Sequence, residues 1–413
     1  MQTSLTQKNT LQHLLSIPVI VAALGYFVDI YDLLLFGIVR IPSLQSFGLS
    51  EREVSATGAS ILNWQMTGLL LGGILWGVLG DKKGRLSVLF GSILTYSIAN
   101  IACGFVQSPD MYKILRFVAG IGLAGELGAG ITLVSEILPK QLRAIGTSLV
   151  AGVGLLGAVA AYFTVEFFDW RTAYFIGGGM GITLLLLRLG VFESGAFEAI
   201  KSQKRVEKGN FFSLFTRRER LIRYLKCIGM GLPTWFVIGI LATFSNEFGK
   251  ALNISEPILP GLSIMWCYIG LSAGDLASGF LSHGLRSRKK AVLYLMLFTA
   301  VFTGVYLYGG VQTPSMLYGL TVLLGFGIGY WAMFVTIGAE QFGTNLRATA
   351  ATTIPNMVRG TVVLMTTLFG YFKSGFSVID SGALVGALCF MIGLYCTLTM
   401  AETHDKDLDF LEK

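Results

Sequence analysis

Long apolar runs set the plan of this chain. They fall at 18–39, 54–79, 87–107, 111–137, 146–167 and 172–191, pause over a polar stretch, and resume at 226–248, 258–281, 291–309, 315–339, 349–371 and 376–400. A helix needs about 20 mostly apolar residues to cross a hydrocarbon core roughly 30 Å thick, and these runs are of that length. The pattern predicts an all-α membrane protein of twelve transmembrane helices. Residues 1–192 are expected to form an N-terminal six-helix bundle, 193–225 a linker, and 226–413 a C-terminal six-helix bundle with a short tail. The first run lacks a convincing small-residue cleavage site, so it reads as a retained span and not as a signal peptide.

Composition agrees with that plan. A chain of 413 residues would otherwise suggest two or three soluble domains, but it is 53% hydrophobic and only 13% charged, with a mean hydropathy of +0.67. A soluble globule carries about 25% charged residues. The 52 glycines suit helices that approach closely in lipid. The five cysteines (Cys103, Cys227, Cys267, Cys389, Cys396) lie in or beside apolar runs, without metal-ligand spacing, and read as packing residues.

A net charge of +7 could hint at nucleic acid, but its distribution is topological. Of the 31 Lys and Arg residues, 23 fall in segments on one side of the predicted spans, seven on the other (Arg40, Arg52, Lys113, Arg116, Arg171, Lys250, Lys373), and Arg359 within a span. The positive-inside rule then places both termini and the 193–225 linker in the cytoplasm. The linker carries Lys201, Lys204, Arg205, Lys208 and Arg217–Arg218–Glu219–Arg220, and reads in part as an interfacial amphipathic helix. No P-loop is present, and no metal-ligand cluster or nucleophile–base arrangement, so neither direct ATP hydrolysis nor an enzyme is expected, and no cofactor. The three histidines (His13, His283, His404) lie at or near the cytoplasmic side.

The two halves repeat each other. Shifting by about 202 residues lays Trp64, Gly68, Gly72 and Gly77 over Trp266, Gly270, Gly274 and Gly279, and a shift of 204 lays Glu136 and Arg143–Ala144 over Glu340 and Arg347–Ala348. Repeated halves related by pseudo-two-fold symmetry are an architecture of secondary carriers.

These residues also carry a family resemblance. Gly77-Val-Leu-Gly-Asp81-Lys-Lys-Gly84-Arg85 resembles the loop signature between helices 2 and 3 of the major facilitator superfamily. Arg116-Phe-Val-Ala-Gly120-Ile-Gly122-Leu-Ala-Gly125-Glu126, followed by Ser135-Glu136 and Arg143, resembles its helix 4 signature. Trp170-Arg171, Glu193-Ser194-Gly195 and the tail from Glu402 to Leu408 resemble marks of the branch with sugar porters, metabolite:proton symporters and organic-ion carriers. Two departures are Gly128, where that branch often has proline, and a second basic loop (Ser282–Lys290) without the acidic residue. The resemblance implies a cytoplasmic gate in which Asp81 and Arg85, Glu136 and Arg143, and Glu340 and Arg347 latch one state and part in another. Exposed ion pairs worth about 0–1 kcal/mol each are the plainer reading.

Ionisable groups within spans are costly and therefore functional candidates. Asp29 lies ~16 Å into the first span, near the midplane, with Asp32 three residues on and close to the same face. Glu126 lies ~15 Å before Glu136, and Arg359 ~18 Å beyond Arg347. Asp275, eight residues before His283, lies nearer the cytoplasm and fits a packing or gate residue. Asp29-Ile-Tyr31-Asp32 resembles the Asp-x-Tyr/Phe-Asp of aromatic-acid:proton and phosphate:proton symporters, Gly125-Glu126 the Gly-Glu of organic-acid carriers, and Arg359-Gly360 after Asn356 the helix 11 arginine of organic-anion carriers. Two carboxylates on one face cannot both stay ionised cheaply in a dry site, so one is expected to hold a proton. A guanidinium at that depth requires an anion, either a substrate carboxylate or a permanent partner among Asp29, Asp32 and Glu126. Tyr26, Asn63, Gln65, Trp235, Trp266, Tyr268, Tyr330, Trp331 and Asn356 could line a cavity. Each aromatic fits packing or interface anchoring equally well.

The expected function is secondary active transport of a small organic anion (a carboxylate) by alternating access, coupled to protons as a symport. Arg359, Asn356, Tyr26, Gln65, Trp266 and Tyr330 would bind substrate, and Asp29, Asp32 and Glu126 would carry protons. The expected partners are that anion, protons and the lipid bilayer, for a monomer in a bacterial inner membrane. Proton-coupled efflux of a cationic drug, or phosphate or sugar symport, are the alternatives, and a non-transporting sensor is the weakest. On this topology, Lys250→Cys is expected to react with an impermeant maleimide applied outside intact cells and Lys204→Cys is not. The opposite pattern would overturn it.

Overall fold

The computed structural model describes residues 15–83, 85–126, 134, 138, 143–193 and 211–404. Among them there is no strand. The helices are α1 (Ile17–Gln45), α2 (Glu51–Lys83), α3 (Arg85–Gly104), α4 (Pro109–Leu123), α5 (Arg143–Leu155), α6 (Gly157–Phe167), α7 (Trp170–Glu193) and α8 (Arg218–Phe236). After these come α9 (Ser245–Ala251), α10 (Pro260–Leu285), α11 (Arg288–Tyr308), α12 (Pro314–Gly327), α13 (Trp331–Glu340), α14 (Thr344–Gly360), α15 (Val362–Phe372) and α16 (Val378–Thr399). Nine helical stretches among the described residues are long and apolar enough to cross a membrane. Of the other three predicted spans, 87–107 is helical as α3 and 349–371 as the pair α14–α15, and the described part of 111–137 includes α4.

The glycine repeat has a packing cause. A methyl group at Gly68 would lie 2.2 Å from the Phe117 carbonyl oxygen, and one at Gly120 would lie 2.2 Å from that of Gln65. In the second half, a methyl at Gly270 would lie 2.0 Å from the Val322 oxygen, and one at Gly325 would lie 1.9 Å from that of Cys267. Helices α2 and α4, and likewise α10 and α12, therefore touch backbone to backbone, which only glycine permits. The entries of α4 and α12 match too. Ser108 before Pro109 accepts from the Met111 amide at 3.3 Å, and Thr313 before Pro314 accepts from the Met316 amide at 3.3 Å. Each hydroxyl caps an orphan amide, and proline needs none at the first helical position.

Several spans are broken in mid-course: at Leu156, at a π-turn over Val237–Ala242, over residues 328–330, and at Thr361. Such breaks are tolerated at membrane depth only where protein surrounds them. At the third, the Asp275 carboxylate accepts from the Ala332 amide at 3.1 Å, capping α13 where the helix dipole favours an anion. That gives Asp275 a structural task.

Polar contacts join the chain's halves at one face: Lys250 to Glu51 at 2.6 Å, the Ser55 hydroxyl to Glu247 at 2.6 Å, and the Arg40 guanidinium to the Thr243 carbonyl at 2.9 Å. At the opposite face Glu402 caps α11, accepting from the Ser287 hydroxyl and the Arg288 amide, while Gln341 donates to the Ala401 carbonyl.

The backbone contacts are unforgiving. Gly120→Ala and Gly325→Ala are expected to destabilise by roughly 1–3 kcal/mol each, the usual cost of overpacking. Gly319→Ala, with open space at its Cα, is expected to be neutral or mildly stabilising. Thermal unfolding in detergent measures all three, and equal midpoints would contradict the packing.

Candidate functional site

The centre of the molecule is an ionic contact across the seam between α1 and α14. Arg359 occupies the last turn of α14 before the break at Thr361, and is 1% exposed; Asp29, midway along α1, is 0% exposed. Their closest approach is 3.8 Å, from Nη2 to Oδ2, which is beyond hydrogen-bonding distance. Arg359 Nε and Nη1 and both Asp29 oxygens have no hydrogen-bond partner. The guanidinium carbon sits 5.8 Å from the Trp235 ring centroid, within cation–π range.

Around this pair lie further unmatched polar atoms. Tyr26 is about one turn before Asp29 on α1, within electrostatic range of Arg359, and its hydroxyl has no partner. Asn356, one turn before Arg359, donates to the Ala124 carbonyl at 2.7 Å while its Oδ1 is unpartnered. The aromatic wall runs from Trp235 edge-on to Trp331, with centroids 6.2 Å apart, and on to Phe334 stacked at 5.0 Å. Buried Tyr268 is also within electrostatic range of Arg359. Beside the seam α2 packs tightly on α14, because Gly73 faces the Asn356 side chain and Gly360 faces Leu70. Tyr26, Asp29, Asn356 and Arg359 are thus brought together from predicted positions as much as 333 residues apart in sequence.

Other predicted residues go elsewhere. Glu126 is bound through both oxygens by Arg188, with Nη1 to Oε2 at 3.1 Å and Nη2 to Oε1. The pair rests against Gly25, one turn before Asp29, where a methyl group would strike both charged ends. Asp32 turns away from the seam into α7, where Gly177 makes room for its carboxylate. Asp29 and Asp32 therefore do not form a side-by-side pair, since three residues along a helix also rotate the side chain by about 60°. Gln65 is spent on structure: it donates to the Leu33 carbonyl at 2.8 Å and accepts from Arg116 at 3.3 Å. The Tyr330 hydroxyl donates to the Met230 carbonyl at 3.3 Å, and Trp266 is 37% exposed, apart from the buried group.

Four arginines counted with the loops and the linker are in fact buried, Arg220 among them at 6% exposed. Arg188 completes the Glu126 pair. Arg116 donates to the Asn100 side chain at 2.6 Å and the Asp32 carbonyl at 2.9 Å. Arg40 donates to Asn246 and Thr243. Their place near predicted span ends, within reach of the core, was the available signal. Of the predicted gate, Glu340 pairs with Arg288 at 2.8 Å, and Arg347 lies in the first turns of α14. Glu136 and the side chains of Asp81, Arg85 and Arg143 lie outside the described residues. No group of three or more His, Cys, Asp or Glu among the described residues could hold a metal ion.

Apolar helical spans, several of them broken around a buried charged centre, describe a multi-pass integral membrane protein, and the family and relatives that the chain matches make it a transporter and not an enzyme. The chain belongs to the Major Facilitator Superfamily, whose model matches residues 22–361. It is 27% identical to a Bacillus subtilis protein named for niacin/nicotinamide transport, over 94% of this chain and 96% of that one. It is 26% identical to the gentisate transporter of Corynebacterium glutamicum, over 92% of this chain and 88% of the relative. The cis,cis-muconate transport protein of Acinetobacter baylyi is also 26% identical, over 94% and 95%.

The Glu126–Arg188 pair yields a stability test. Glu126→Gln leaves a buried guanidinium without its counter-charge and is expected to cost about 3–5 kcal/mol. Adding Arg188→Met should restore much of the loss, because neither charge then remains unmatched. Thermal midpoints of the two single variants and the double variant measure the coupling. Additive losses would show that the two residues do not act as a pair.

Proposed function

We propose that the protein is a proton-coupled symporter of a small, flat organic carboxylate, working by alternating access between bundles 1–192 and 226–413 joined by 193–225. Both termini are cytoplasmic, in a bacterial inner membrane. The observation that carries this reading is Arg359: fully buried on the seam, set against the Trp235 ring, and matched only by a distant Asp29. Its Nε and Nη1 remain unpartnered, and either of them together with Nη2, which only faces Asp29 at 3.8 Å, forms the paired donors that a planar carboxylate engages bidentately. The relatives' names give related chemistry. Gentisate, muconate and niacin each carry a carboxylate on a flat conjugated frame, which suits the wall of Trp235, Trp331 and Tyr26.

Coupling follows from charge balance. One guanidinium cannot neutralise two carboxylates in a poorly solvated site, where two like charges ~4 Å apart repel by about 4 kcal/mol at an effective dielectric of 20. When the substrate carboxylate takes the fork of Arg359, Asp29 loses its only ionic contact and takes a proton. When the substrate leaves, Asp29 releases the proton and returns to the arginine. Substrate and proton therefore travel together, and the carrier with neither bound keeps its centre neutral. The Tyr26 hydroxyl is a donor available to the bound anion, and the Asn356 amide oxygen is an acceptor for a hydroxyl on the substrate's frame.

The test uses purified carrier in proteoliposomes with gentisate as substrate. Arg359→Ala is expected to abolish binding at the central site, and with it uptake and exchange, with Arg359→Lys a poor rescue because an ammonium lacks the planar fork. Asp29→Asn mimics the protonated acid and is expected to eliminate accumulation driven by a pH gradient while retaining exchange, which needs no net proton movement. A folded Asp29→Asn carrier that still concentrates gentisate under a proton gradient would sink the coupling assignment.

A further inference from the structure

A cavity of about 410 Å³ opens on the Glu51 face, between the end of α1, the first turn of α2, α9 and the 254–259 segment. Small-molecule sites typically occupy ~300–1,000 Å³ and combine an apolar wall with a few convergent polar groups. Here the wall includes Ile41, Val54, Ile254 and Leu259, and Arg40 also lines the cavity. Arg40 stands eleven residues beyond Asp29 on the same helix, ~16 Å outward along the axis. The cavity is therefore separate from the central site, at one end of the helix that carries Asp29.

Arg40 is 1% exposed, and its stem lies against Gly58, where a methyl group would come within 2.7 Å of its Cδ. Its Nη2 donates to the Thr243 carbonyl and the Asn246 side-chain oxygen, and its guanidinium carbon is 4.4 Å from the Phe244 ring centroid. These hydrogen-bond partners are all neutral, and the acid within electrostatic range of Arg40, Glu247, is already shared with Lys373 and Ser55. Nε and Nη1 have no hydrogen-bond partner. The acids that line the cavity are otherwise occupied or at its edge. Glu51 pairs with Lys250, Glu247 is held by Lys373 at 2.7 Å and by Ser55, and Glu256 is exposed. A buried cation with neutral partners and two free donors calls for an anion. Across the mouth, the Glu51–Lys250 pair is itself 77% and 66% exposed, and so is a weak closure.

We propose that this cavity is a second binding site for a small carboxylate, anchored by Arg40, where the transported anion docks between bulk solvent and the Arg359 site. The proposal rests on the reading of the chain as an organic-anion carrier. Occupancy of the two sites is separable, because each has its own arginine. The apolar wall gives the outer site a preference for carboxylates with a hydrophobic frame over acetate or chloride.

The test places a reporter at the exposed rim as Ser255→Cys, since the five native cysteines are buried. Maleimide labelling of the purified carrier is followed with and without gentisate. Saturating gentisate is expected to slow labelling at least tenfold, and to do so equally with Arg359→Ala added. Arg40→Gln should remove the protection and Arg40→Lys should retain part of it. Gln45→Glu, at an exposed lining position that does not perturb the core, should weaken protection several-fold by repelling the anion. Unprotected labelling in a carrier that still transports gentisate would overturn the outer site alone, as would protection that survives Arg40→Gln or disappears with Arg359→Ala. Failure to transport gentisate, cis,cis-muconate and nicotinate alike would instead remove the functional reading, and this site with it.

Discussion

A guanidinium in the interior of a membrane protein must find an anion or enough neutral acceptors, and how completely it does so distinguishes four of the buried arginines among the described residues. Arg188 is satisfied by two bonds to one carboxylate. Arg116 has two side-chain amides and a backbone carbonyl. Arg40 has a carbonyl, an amide oxygen and an aromatic face. Arg359 has one contact at 3.8 Å and a ring. The desolvation cost is of the same kind for all four, so the least compensated is the one whose partner changes at lowest cost. That arginine stands on the seam between the halves, where carriers built from repeats place their ligand.

The packing divides the work between stiff and labile contacts. Backbone-to-backbone contacts at Gly68, Gly120, Gly270 and Gly325 weld α2 to α4 and α10 to α12. These contacts have no slack, because a carbonyl oxygen already occupies the space of a side chain. The seam on the Glu51 face is held instead by ion pairs and single hydrogen bonds, among them the largely exposed Glu51–Lys250 pair. Exposed pairs of this kind contribute little and exchange readily with water. On the proposed alternating-access cycle, rigid units that part along a polar seam require that difference in stiffness.

The broken helices serve the site as well as the fold. Arg359 precedes the break at Thr361, Trp235 precedes the π-turn, and Trp331 follows the break at 328–330. Each break re-aims the chain near the seam, and π-turns within helices often accompany functional sites. Asp275 shows the cost of such an interruption: a buried carboxylate is committed to capping the restarted helix.

Hydropathy alone located the helical stretches seen among the described residues, because the membrane sets both the length and the composition of a span, and both are local properties of sequence. Spacing along each run also placed Asp29 and Arg359 at similar depth, since rise per residue is constant in a helix. The glycine repeat was legible for the same reason, as position along an axis. The azimuth of each helix about that axis was not, and it is what chose the partners. It turned Asp32 away from Asp29 toward α7, left Trp266 exposed, and gave Gln65 to Arg116. It also drew Arg40, Arg116 and Arg188 inward from positions that resemble loop edges. Periodicity relates the residues of one helix to each other but not to the neighbouring helix. Depth was therefore written in the sequence, whereas the pairing of charges at that depth was decided only when the helices packed.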